Sequence, residues 1–422
     1  MLIEFSVQNF RSFKERATLS LEAATDDWLE DECVATVGGL RLLKSAAIFG
    51  ANAGGKSNLL KAMAVFRDFI RNSSKETQQG EKIPVAPFRL HLDTESAPTI
   101  FEALFLQNGT RYRYGFGATV DQVTSEWLFR QKDSTRETCL FTREGAKFKL
   151  SAEFKEGKGL EERTRSNALF LSVVAQFNGA IAGEVFNWLT RFRNISGLDD
   201  ADNNAATAKW LTNKDYSAQI KELMRWADVG IKDIRVLEMP SFRFGEAEMK
   251  FGGDSKIGTS FSIKTYHQKY NAEQVPIGQV EFDFRADESE GTQKFIALAG
   301  PFLEALMTGS VLFVDELEAR LHPLLTRGLI SQFNSYINGL DGQLIGQLIF
   351  VSHDAGLLDP KRIRRDQVWF AEKDDFGASR LHSLSEFKVR KEAKFDKEYL
   401  LGQFGGVPRV TNLQDITVHA AE

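Results

Sequence analysis

The sequence predicts an α/β fold: a mixed sheet with a glycine loop at the mouth of one strand, a group of antiparallel strands, and a helical insertion. Three observations lead there. "SAAIFGANAGGKSNLLKAMAVF" (45–66) reads as apolar strand, glycine-rich turn and amphipathic helix. Residues 99–150 alternate strand-like runs with Gly and Asn turns. Two later apolar runs, "VLFVDE" and "LIFVSHD", end in acids or a histidine, at the strand end where ligands of open α/β sheets sit.

Taken in order, residues 2–7 alternate with period two and "NFRSFKERATLSLEA" continues as a second strand, which predicts an N-terminal hairpin. A buried strand over 43–49 precedes a helix over 58–72, whose Leu59, Leu60, Met63, Phe66 and Ile70 fall on one face. "FEALFLQNG", "RYRYGFGATV" and "TCLFTREGAKFKLS" supply the antiparallel strands. The text then turns helical through "NALFLSVVAQF", "GEVFNWLTRF" and "AQIKELMRWA", where aromatic stripes serve packing. Strands return from about 231, including a hairpin in "SFSIKTYHQKYNAEQVPIGQVEFDF", before the helix "GTQKFIALAGPFLEALMTG". The division expected is an N-lobe over 1–158, a helical insertion over 159–240, a C-lobe over 241–400 and a tail over 401–422.

Composition narrows the function. A chain of 422 residues exceeds the usual single domain, and a net charge of -5 confines any nucleic-acid contact to a local patch. Two cysteines, Cys33 and Cys139, exclude a disulfide framework and a thiolate zinc site, and favour a reducing, cytoplasmic setting. No apolar run reaches the ~20 residues that span a bilayer, so no membrane partner is expected.

The chemistry starts at "GANAGGKSN". Gly50, Gly55, Lys56 and Ser57 fit G-x-x-x-x-G-K-[ST], with Asn52, Gly54 and Asn58 in the same stretch as nucleotide-binding candidates. Glycines let successive N–H groups converge on phosphate oxygens at the positive end of a helix, Lys56 reaches the β- and γ-phosphates, and the Ser57 hydroxyl binds Mg²⁺. Asp315 would hold the Mg²⁺ through water and Glu316 would act as base toward the attacking water. "DESEGTQKF" opens a helix just ahead of that strand, and its Ser289 and Gly291 make a second anion site. His353 ends the next strand.

The succession "NFRSF", "GANAGGKSN", "ESEGTQ", "FVDELEARLHP", "FVSHD" and "RRDQVWFAEKD…GQFGG" resembles the AbiL-like and OLD-like branch of ABC-type ATPases, related to SMC and RecF proteins, over roughly 1–120 and 285–405. The resemblance implies an ABC-type P-loop ATPase head using ATP and Mg²⁺, with Ser289 and Gly291 closing on a nucleotide held by the other subunit of a homo-oligomer. It implies that His353 senses the γ-phosphate and that Arg11 lies near the phosphates. It further implies the sensor or scaffold half of an anti-phage defence system of the PARIS or Septu kind. The partner would be a separately encoded effector, a Toprim or HNH nuclease, and the trigger a phage protein or nucleic acid. Glu318 stands where the family's D-loop often carries an aspartate, and no residue matches its Q-loop glutamine, so slow turnover is expected. "EKDDFG" offers no D-x-D pair, so this chain itself is expected to cut neither DNA nor RNA. Two other readings compete. A RecF-like repair ATPase would need a basic groove, for which "KRIRR" (361–365) and "KVRKEAKFDK" (388–397) are the candidates. An ATP-binding scaffold would show negligible hydrolysis.

Overall fold

A computed structural model describes residues 1–76, 78–132, 136–196, 201–242, 257–335, 345–390 and 393–408. The chain opens with β1 (Leu2–Gln8) and β2 (Ala17–Ser20), the predicted antiparallel hairpin. A single turn α1 (Glu30–Cys33) leads to the ribbon β3 (Val34–Val37) and β4 (Leu40–Leu43), and then to β5 (Ser45–Phe49). Helix α2 (Lys56–Asn72) starts two residues before the apolar spacing indicated, because Gly55 is its N-cap and Lys56 and Ser57 belong to its first turn. After the short α3 (Leu92–Glu95) come β6 (Thr99–Gln107), β7 (Thr110–Ala118), β8 (Val123–Gln131), β9 (Thr138–Glu144) and β10 (Lys147–Leu150). They form a seven-stranded sheet in the order β10-β9-β8-β7-β6-β1-β2, as the hairpin signals predicted.

The segment expected to be helical over 159–240 holds α4 (Phe170–Gln176), α5 (Ala180–Leu189), α6 (Ala201–Thr212) and α7 (Lys214–Trp226), but it is not helical throughout. Between α5 and α6, β11 (Arg193–Ser196) returns to the sheet that contains β5 and pairs in parallel with the later strand 311–315. From Ile231 the chain is already strand: β12 (Ile231–Phe242), β13 (Ile257–Tyr270) and β14 (Pro276–Asp283) form a three-stranded antiparallel sheet. Helix α8 (Glu290–Thr308), β15 (Val311–Asp315), α9 (Pro323–Ser335), β16 (Gln347–Val351), β17 (Val368–Lys373), β18 (Ser379–Ser383) and α10 (Phe395–Leu400) complete the order. Of the expected tail, residues 409–422 lie outside the described residues.

The second large sheet runs β11-β15-β16-β5-β17-β18, parallel except for its last strand. Its central strands β15, β16 and β5 are apolar on both faces, and side-chain alternation divides them between two cores. Ile48, Phe313 and Ile349 face α2 and the antiparallel sheet, while Ala47, Leu312 and Phe350 face the layer of α8 and α9. Helix α2 is the filling between the two large sheets, with the Phe66 ring stacked on Phe116 at 5.6 Å and edge-on to Phe5 at 5.5 Å. Gln347 joins those sheets directly. Its amide accepts from Leu2 N at 2.6 Å and donates to the carbonyls of Leu2 (3.0 Å) and Leu43 (2.9 Å), fully buried. The third sheet packs on α6, α7 and α8 through Ile231, Ile234, Ile263, Met224 and Ile296. Among the described residues no helix is long and apolar enough to cross a membrane.

Candidate functional site

The parallel order places three candidate segments at one sheet edge. The glycine loop leaves β5, the acids end β15, and His353 follows β16, which lies between the other two. The loop of residues 50–55 needs a backbone that side chains resist: φ is 153° at Gly50, 63° at Ala53 and 115° at Gly55. Packing makes the same demand. A Cβ at Gly50 would strike the Ala371 carbonyl of β17, one at Gly54 would lie 2.6 Å from that same oxygen, and one at Gly55 would strike Ser379 Oγ. The exposed Asn52 and Ala53 form the loop's outer rim.

Two serines that the motif did not single out hold the loop. Ser379 Oγ donates to the Gly54 carbonyl at 2.8 Å, and Ser379 N donates to the Ser12 carbonyl at 2.6 Å. Asn58 Nδ2 in turn donates to Ser12 Oγ at 2.8 Å. The "NFRSF" segment therefore touches the loop through Ser12. Arg11 is exposed at φ 51°, with its N–H bonded to Ala86 O at 2.7 Å and its guanidinium 5.7 Å from the Phe10 ring centre. Among the described residues no hydrogen bond joins its side chain to the glycine loop.

Lys56 is only 5% exposed, and its Nζ donates to Gly50 O at 2.7 Å and Ala51 O at 2.9 Å. Burial pulls its pKa below the usual lysine value, and the carboxylates of Asp315, Glu316 and Glu318 oppose that pull. The ammonium is thus the counter-charge of an acidic turn. Ser57 follows in the first turn of α2, where helical N–H groups lack intrahelical acceptors.

Asp315 closes β15, and its Oδ1 is buried without a hydrogen-bond partner. Glu316 sits at φ 52°, a left-handed conformation that costs a residue with a side chain about 1–2 kcal/mol. The turn is pinned by Leu317 N to Val351 O at 3.2 Å, and Ser352 N reaches Ile48 O at 3.1 Å, so all three segments are cross-tied. Glu318 Oε1 accepts from the backbone N–H of the exposed His353 at 2.6 Å. Among the described residues no group of three His, Cys, Asp or Glu side chains is placed to hold a metal alone. The set fits a cation that shares its coordination with phosphate oxygens and water: a helix-start hydroxyl from Ser57 and an orphaned Asp315 oxygen.

Ser289 caps α8, accepting from Thr292 N at 3.1 Å and sharing a 2.9 Å hydrogen bond with Thr292 Oγ1. Gly291 packs on the acidic turn, since a Cβ there would lie 2.9 Å from Arg320 O. Glu288, just before the cap, is clamped by His267 Nε2 at 2.7 Å and by Thr265 Oγ1. Among the described residues no hydrogen bond links Ser289 or Gly291 to the glycine loop of their own chain. The basic run 361–365 does not form a surface stripe. Arg364 is buried at 1% exposure against Asp366 and Asp26, and Arg365 reaches Asp26 and the Val389 carbonyl. Of the second run, residues 391 and 392 lie outside the described residues.

No curated protein matches the chain. Among solved structures, the SMC head domain from Thermotoga maritima is similar over 92% of this chain and 99% of its own, at 11% identity and a TM-score of 0.39. RecF-ATP, a recombination mediator protein of the RecFOR pathway, is similar over 90% of this chain and 97% of its own, at 14% identity and a TM-score of 0.33. RecF-ATPrS of the same pathway covers 90% and 98%, at 13% identity and 0.32. At such scores the likeness is loose. A protein family described as "AAA domain, putative AbiEii toxin, Type IV TA system" matches residues 45–359, from the first residue of β5 to just past His353. That span contains the glycine loop, the cap of α8, the acidic turn and the histidine, and the chain belongs to this AAA-domain family.

Proposed function

We propose that the chain is an ABC-type ATPase that holds ATP and Mg²⁺ between subunits of a homo-oligomer and hydrolyses the ATP slowly. We further propose that it acts as sensor and scaffold for a separately encoded nuclease in anti-phage defence. The ATPase half is carried by one observation: Lys56 in its glycine loop, the orphaned Asp315 oxygen, Glu316 and His353 meet at a single sheet edge. The N–H groups of the loop and the Lys56 ammonium bind and orient the phosphates, while Ser57 and Asp315 hold the cation. The cation, when bound, draws charge from the phosphate oxygens. Glu316, on the left-handed turn that follows β15, accepts the proton of the attacking water. Ser289 and Gly291 of a second copy close the site, a reading supported by the exposed Ser289 at the start of α8. The effector half is supported by the motif order and the resemblance it carries.

Glu316→Gln tests the reading. The amide keeps the shape but cannot serve as base, so ATP binding stays and phosphate release falls by ~10²-fold or more. Size-exclusion chromatography with ATP should show a more persistent assembly, and co-purification should retain the product of the neighbouring gene. Wild-type turnover by this variant would remove Glu316 from the chemistry. A parent protein that binds no nucleotide would end the proposal.

A further inference from the structure

Glu318 has no task in the scheme above, although its placement is specific. It lies on the turn after β15, and its two oxygens face different surroundings. Oε1 accepts the His353 N–H at 2.6 Å, whereas Oε2 is buried and has no hydrogen-bond partner. Asp315 Oδ1, three residues earlier, is in the same condition. A buried acceptor left empty is destabilising, so two on one turn call for a donor that arrives from outside. The turn cannot drift to relieve them, because Leu317 N is fixed to Val351 O and Gly291 packs on Arg320 O. Glu318 also belongs, with Asp315 and Glu316, to the carboxylates facing the Lys56 ammonium.

We propose that Glu318 is a positioning residue of the nucleotide site, with one oxygen fixing the His353 segment and the other accepting a hydrogen bond from a water that enters with the cation and phosphates. The inference rests on the ATPase reading. Its chemistry is outer-shell: the carboxylate touches neither metal nor nucleotide, and orients what does. A turn that needed Oε1 alone would tolerate glutamine without loss.

The test uses the full chain as wild type, Glu318→Gln and Glu318→Ala. The readouts are Mn²⁺ binding by electron paramagnetic resonance with a non-hydrolysable ATP analogue, analogue binding in EDTA, and turnover. Glutamine retains an oxygen for the His353 N–H but not the charge. Glu318→Gln should therefore weaken Mn²⁺ binding about tenfold with analogue binding in EDTA unchanged. Glu318→Ala should do the same and also release the histidine segment. Adding His353→Ala to Glu318→Ala should then slow turnover by clearly less than the product of the two single effects. Unchanged Mn²⁺ binding in Glu318→Gln, or multiplying effects of the alanine variants, would overturn the proposal. If Glu318→Ala fails to fold, the isosteric Glu318→Gln decides through Mn²⁺ binding alone. Failure of the ATPase reading is a separate result, visible as a wild-type chain that binds no analogue.

Discussion

Lys56→Met removes an ammonium and keeps most of the aliphatic length. In the free protein that ammonium donates to Gly50 O and Ala51 O at 2.7 and 2.9 Å. Ala51 O retains the Gly54 N–H at 3.0 Å, so only the Gly50 carbonyl is stripped of a bond. Losing a hydrogen bond to a charged donor costs about 1.5–3 kcal/mol, while removing a desolvated charge returns part of the burial penalty recorded in its lowered pKa. The opposing terms should leave stability without ligand within about 1–2 kcal/mol of the parent. Nucleotide binding should change far more, because the polyphosphate would lose its lysine counter-charge beside the carboxylates of Asp315, Glu316 and Glu318. Losing one buried charge-assisted contact at about 3 kcal/mol weakens Kd by about a hundredfold. Denaturant unfolding with and without Mg-nucleotide reads this directly. At a concentration 100 times the parent Kd the parent gains about 2.7 kcal/mol, and the variant, now near its own Kd, about 0.4 kcal/mol. Equal nucleotide-induced gains in both proteins would refute the reasoning and leave Lys56 as a staple of its own loop.

Two further outcomes are expected. Ser289→Arg should leave nucleotide affinity intact and abolish turnover, and mixing it with Lys56→Met subunits should restore at most one working site per dimer; an active monomer indifferent to the arginine would argue against a shared site. Arg364→Met should cost about 3–5 kcal/mol in urea unfolding, because Asp366, held at 2.8 Å by Arg364 and only 6% exposed, would lose its counter-charge; a loss below about 1 kcal/mol would mean that the cluster is screened by water.

Much of the site was legible because phosphate chemistry needs fixed residue types at fixed local spacing. Gly50 through Ser57 and the pair Asp315 and Glu316 each announce themselves within a few residues of a strand end, of β5 and of β15. What escaped is long-range. Ser379 reaches the loop across 325 positions, and the Ala371 carbonyl that forbids a side chain at Gly50 and Gly54 belongs to a strand more than 300 residues further along the chain. In "NFRSF" the arginine drew attention for its charge, while the contact is made by its small neighbour Ser12. Strand β11 has four residues between helices, too few for period two to register, so the insertion looked continuous. "KRIRR" stood as a candidate for a basic groove because the acids that bury Arg364 are split between Asp366, two residues on, and Asp26 at the other end of the chain.

Gln347 gives the molecule an asymmetry of mechanics. Through one amide it welds the first strand of the antiparallel sheet to the nucleotide-side sheet, with α2 wedged between them. Those layers then form a frame that cannot shear without breaking two buried hydrogen bonds at once. Compliance is left to the opposite block, where α6, α7 and the β12–β14 sheet hold α8 and reach its cap through the Glu288 clamp. Any stroke driven by a nucleotide would be a lever movement of that block against a stationary frame, and a strain gauge for the cycle belongs on the β13–α8 joint.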